Sequence, residues 1–199
     1  MGLLDFITKP FSPYTAQQDS TILPPKGQKL IPPEGWPKGW DYTQTMHDYV
    51  QVLRFHENST NTGLKNDKWY AYDSVEGGEQ TIAYGHKLDP GESYPQGLSD
   101  AEAEEMLLSD LAEAMVIAHN KYQNVGFSWN DISDHDKILL TELAFNKGGA
   151  SPQFMKAVSI NDKAEMSDLM RQRGYIDPGT NKVVLLQNRN KAMIDNYIY

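Results

Sequence analysis

The 199 residues, 39% hydrophobic and 11% aromatic, suffice for one domain with its own core, or one domain and a tail. No stretch approaches the ~18 apolar residues of a membrane-spanning helix, and the lack of cysteine excludes disulfides, thiol catalysis and cysteine-ligated zinc. A net charge of −9 without a basic patch argues against a nucleic-acid partner.

The first 42 residues differ from the rest. MGLLDFITK places Asp5 inside its only apolar patch and has no basic leader, which argues against a secretory signal. Pro13, Pro24, Pro25, Pro32, Pro33 and Pro37 then remove backbone donors and favour extended chain. Residues 1–42 are therefore expected to form a proline-rich arm, with Trp36 and Trp40 packed on the domain that follows or the whole arm docked to another component.

Residues 43–199 carry the periodic patterns. Met46, Tyr49, Val50 and Leu53 fall at helical spacing, with Thr43 or Thr45 as the cap and Glu57 at or just past the end. Composition makes 58–68 a loop. Trp69, Tyr70 and Tyr72 suggest a strand or an aromatic cluster, and Thr81 to Tyr84 a second strand. A connection from Lys87 to Gly97 leads to the box Ser99-Asp100-Ala101-Glu102, which opens a helix expected to reach Asn120. A second box at Ser133 to Asp136 starts the apolar helix through Phe145, stopped by Gly148-Gly149. Ser151-Pro152 starts another helix, and Asn161 to Arg173 one more, ended by Gly174. Asp177-Pro178-Gly179-Thr180 reads as a turn and Leu186 to Tyr199 as a closing helix. The expected fold is α+β and mainly α: a small antiparallel lobe and a larger helical lobe joined by a long helix, with the site between them.

Two carboxylates flank the 58–72 stretch. Cleaving a glycosidic bond needs one carboxylic acid kept protonated by burial and a second carboxylate kept ionised by hydrogen bonds and water. Glu57, after Val52, Leu53 and Phe55, can lie at the lip of an apolar core, whereas Asp73 sits before a glycine turn. Thr81 carries a hydroxyl able to donate to a carboxylate while accepting from water. Histidines at 47, 56, 86, 119 and 135 show no ligand spacing, so no metal is implied.

The order Glu57, Tyr72-Asp73, TIAYGH from Thr81 to His86, AEAEEMLLSDL and AFNKG resembles the phage-type lysozymes of glycoside hydrolase family 24, over residues 46–199. That resemblance implies a lysozyme-like fold and a muramidase, with Glu57 as general acid and Asp73 and Thr81 directing water. The interval from Glu57 to Asp73 is longer than the family's, and so is that from Asp73 to Thr81, which leaves Glu76 and Asp67 as rivals for the second carboxylate. The resemblance further implies a structural pair of His86 with Asp110, and substrate contacts by Asn146 and Arg189, the latter alternatively bracing the catalytic Glu. It implies no cofactor, and bacterial peptidoglycan as partner. It also implies a monomer of phage origin made in the host cytoplasm and acting on the periplasmic wall, with possible virion association through the arm. A non-catalytic virion protein binding wall glycan, and a lytic transglycosylase, are the alternatives.

Overall fold

The computed structural model describes Trp36 and residues 41–58, 61–74, 80–177 and 179–199. Helix α1, Gln44–Glu57, begins where the Thr43 hydroxyl accepts from the Met46 amide at 3.3 Å. Its face of Met46, Tyr49, Val50 and Leu53 is buried. Five short strands follow: β1 Leu64–Lys65, β2 Lys68–Trp69, β3 Tyr72–Asp73, β4 Gln80–Ile82 and β5 His86–Lys87. β1 pairs with β2, and β3, β4 and β5 form a three-stranded antiparallel sheet in that order.

The segment expected as plain loop is thus in part a hairpin. Asn66 and Asp67, with φ of 50° and 57°, make its tight turn, because Asn and Asp tolerate the left-handed region that a two-residue hairpin turn requires. The strand expected to reach Tyr84 stops at Ile82, since Ala83 turns left-handed with φ 52°.

Helix α2, Asp100–Asn124, opens on a complete capping box between Ser99 and Glu102 and runs one turn beyond the expected end. It packs most extensively against α3, Asp134–Lys147, which has its own box of Ser133 with Asp136. Gly148, at φ 67°, ends α3 in the left-handed cap that favours glycine. Helix α4, Pro152–Ser159, is capped by Ser151, and α5, Lys163–Arg171, by Asp162.

The next element was not expected. β6, Gly174–Asp177, and β7, Lys182–Leu185, pair antiparallel, so the larger lobe is not purely helical. Helix α6, Gln187–Met193, runs into a π-helical turn at Ile194–Ile198.

Leu107, Leu111, Ile138, Leu139, Leu140, Met166, Met170 and Met193 are essentially inaccessible and form the centre of the core. Trp36 joins it, 7% exposed, with its ring edge-on to Tyr42 at 4.9 Å. Trp40 lies outside the described residues, as do residues 1–35 and 37–39 of the arm.

Candidate active site

Glu57 is the last residue of α1, and its position is fixed from two sides. On the first, the buried side chain of Asn58 accepts from the Thr62 amide at 2.8 Å and donates to the carbonyls of Thr62 and Ala83 at 2.9 and 2.7 Å. This ties the helix end to the turn between β4 and β5. On the second, Gly85 in that turn has φ 94°, and a Cβ there would stand 3.2 Å from Glu57 Oε2, so glycine lets the backbone approach the carboxylate.

The Glu57 side chain is 14% exposed, and its Oε1 forms an ion pair with Arg189 Nη2 at 2.5 Å. Burial raises its pKa, Arg189 opposes that, and the negative charge of Glu142 adds to the rise; the net direction is upward. A carboxyl held this way is suited to carry a proton where an exposed glutamate would have lost it.

Beyond Glu57 lies a buried ion network that the sequence did not reveal. Glu142, in the middle of α3, is fully buried and accepts from Tyr49 Oη at 2.5 Å and from Arg189 Nε and Nη2 at 2.6 and 3.0 Å. Arg173 Nη1 lies 2.6 Å from the same carboxylate. Burial pushes Glu142 up, but Arg189 and Arg173 hold it down to about 2, so it is ionised. The signal in the sequence was a single carboxylate inside the apolar run ILLTELAF.

Thr81 is buried on β4 and its hydroxyl has no hydrogen-bond partner among the described residues. Register places Tyr72 directly across from it and pairs Asp73 with Gln80. Side chains alternate along a strand, so Tyr72 and Thr81 share one face while the exposed Asp73 projects from the other. Burial and the negative charge of Glu57 raise the Tyr72 pKa. The expected placement of the Asp73 carboxylate beside the Thr81 hydroxyl is therefore corrected. Asp67 sits at the tip of the β1–β2 hairpin, and Glu76 lies outside the described residues.

Arg189 and Asn146 both lie near Glu142. Arg189 is 11% exposed, its guanidinium divided between Glu57 and Glu142, an arrangement that matches the expected alternative in which it pairs with Glu57. Asn146, half-buried and one turn after Glu142, donates its amide back to the Glu142 carbonyl at 3.0 Å.

His86 and Asp110 are brought together, Nδ1 lying 2.9 Å from Oδ2, which ties β5 to α2. Glu92, a partner not found in the sequence, meets Nε2 at 3.3 Å. The Asp110 hydrogen bond outweighs burial, and with Glu92 it raises His86 to about 9. Because the folded value lies above the ordinary 6.5, the stabilisation is complete below about pH 6.5 and is lost as pH rises through about 9. His86→Ala is expected to cost about 1.5–3 kcal/mol at pH 6. In urea titrations the gap between the two proteins should shrink toward pH 9; a gap that widened with pH would contradict the pairing.

Arg54 of α1 makes a second tie to α2, pairing with Asp100 and Glu104 at 3.2 and 3.1 Å and donating to Tyr84 Oη at 2.9 Å. Among the described residues no group of three or more His, Asp or Glu could hold a metal ion.

A helix delivering a buried glutamate to a small antiparallel sheet, with a long helix leading to a helical lobe, defines a lysozyme-like α+β fold. The muramidase domain of SpmX from Asticaccaulis excentricus is a solved structure of similar fold: TM-score 0.52 and 17% identity, over 75% of this chain and 94% of that one. At that identity the likeness is one of fold. No family model matches the chain, and no curated protein matches it in sequence.

Proposed function

We propose that this chain is a muramidase that hydrolyses the β-1,4 bond between N-acetylmuramic acid and N-acetylglucosamine in bacterial peptidoglycan. The observation that carries this is Glu57: a buried carboxyl with a raised pKa, held at the end of the first helix against Gly85 in the turn between β4 and β5. The likeness to a muramidase domain supports the substrate class.

In the proposed reaction Glu57 gives its proton to the glycosidic oxygen as the bond to C1 breaks. Water held by the Thr81 hydroxyl attacks C1 from the opposite face, and a carboxylate near the end of β3, Asp73 or Glu76, takes the proton from that water. The product is inverted at C1. Asn146 remains a proposed contact to sugar through the amide oxygen that its backbone bond leaves available. The phage-type family, a monomer of phage origin, action in the periplasm and virion docking through the arm all rest on the sequence resemblance and belong to the same proposal.

The second carboxylate is tested by substitution that keeps shape and removes charge. Reducing-end release from purified peptidoglycan should fall in one of Asp73→Asn and Glu76→Gln and stay near wild type in the other, with both proteins folded. Asp73 shares its face with Gln80 and not with Thr81, and loss in Glu76→Gln alone would give the role to Glu76. Loss in Asp73→Asn alone would return the role to Asp73.

The same register supports a second reading. Within strands β3 to β5 the residues aligned with Thr81 are Tyr72 and Lys87, neither a carboxylate, and a lytic transglycosylase requires only the acid. There the C6 hydroxyl of the muramic residue replaces water and an anhydro-muramic end forms. Full activity in both Asp73→Asn and Glu76→Gln would favour that reading over hydrolysis.

A further inference from the structure

Ile138, Leu139 and Leu140 show what the buried side of α3 needs for packing, and one turn on the chain places a carboxylate there instead. Burying Glu142 with Arg173 and Arg189 is costly unless every charge is met. Four contacts meet it: Tyr49 Oη, Arg189 Nε and Nη2, and Arg173 Nη1, all within 3.0 Å. Arg189 is at the same time the ion-pair partner of Glu57. The two carboxylates are thus joined through one guanidinium.

We propose that Glu142 is a positioning residue for the reaction: by engaging Arg189 together with Arg173, it fixes where Arg189 sits against Glu57 and how much positive charge the acid meets. This rests on the assignment of Glu57 as the acid.

The groups around Glu57 come from several elements. α1 itself supplies His56 and Tyr49, β3 supplies Tyr72, α3 supplies Glu142, α6 supplies Arg189, and the segment after α5 supplies Arg173. Burial and Arg189 push His56 down to about 4, and burial raises both tyrosines, so these three are neutral near pH 7. The charges left are those of Glu142, Arg189 and Arg173. Without Glu142, two uncompensated guanidiniums would hold Glu57 ionised and useless as an acid. Without Arg173, Glu142 would draw more of Arg189 to itself and leave Glu57 more easily protonated.

The two changes therefore displace the acid in opposite directions, which a purely structural role would not. The test is the titration of the Glu57 side-chain carboxyl by carbon NMR on the full chain, with the alkaline limb of kcat against pH alongside. Glu142→Gln should move both to lower pH by about one unit or more. Arg173→Met should move both to higher pH. If Glu142→Gln does not fold, Arg173→Met decides: a rise supports the role, and an unchanged or lowered titration overturns it. Glu57→Gln separates the two levels. An unshifted titration beside an inactive Glu57→Gln protein overturns the role of Glu142 and leaves the acid assignment standing. An active Glu57→Gln protein removes the acid assignment itself.

Discussion

Glu57→Gln is expected to lose about 10²- to 10⁴-fold in turnover of peptidoglycan, the range that a positioned general acid contributes. The amide keeps the size of the side chain but has no proton of suitable acidity for the departing oxygen. Folding should not suffer. A carboxyl whose pKa is raised in the folded state is one whose ionised form folding disfavours, so at neutral pH the charge is a liability. Arg189 keeps Glu142 as partner in the variant, which prevents a lone buried cation. The melting temperature of Glu57→Gln should therefore equal or exceed that of wild type. An inactive protein with an unchanged melt supports the assignment; an inactive protein that has also unfolded says only that the residue is structural.

Gly85→Ala should damage the same acid from the opposite side. The φ of 94° places position 85 where an L side chain costs about 1–2 kcal/mol, and the added Cβ would press on Glu57 Oε2 at 3.2 Å. The carboxylate cannot retreat freely, because Arg189 holds its other oxygen at 2.5 Å. A displacement of about 1 Å at a reacting group is worth up to about 100-fold in rate. A fall in kcat of that order is expected, with KM little changed, since Gly85 is placed against the acid. Equal activity in the two proteins would show that the turn yields without moving Glu57.

The parts of this fold that local rules govern were legible in the sequence. Thr43, Ser99 with Glu102, Ser133 with Asp136, and Ser151 with Pro152 start helices because a side-chain oxygen three residues upstream satisfies an amide that the helix leaves open. Glu57 at the end of α1 followed from helical spacing alone. The β6–β7 hairpin was not legible: Ile176, Val183 and Val184 stand on either side of a turn, but so short a β-branched run does not separate a strand from irregular chain.

What stayed hidden depends on tertiary pairing. Tyr49 and Glu142 are 93 residues apart and Glu142 and Arg189 are 47, so no local pattern relates them. The face on which Asp73 emerges depends on a register of one residue against β4, and a slip by one would reverse it. The left-handed Ala83 that ends β4 carries no sequence signal, since alanine ordinarily avoids that region.

Digestion of purified peptidoglycan in water enriched in oxygen-18, with mass spectrometry of the released fragments, addresses the central proposal most directly. Hydrolysis led by Glu57 adds a solvent oxygen at C1 of N-acetylmuramic acid, so wild-type fragments should carry the heavy isotope at a muramic reducing end and Glu57→Gln should release almost none. Fragments ending in unlabelled anhydro-muramic acid, or no soluble fragments from a folded wild-type protein, would contradict it.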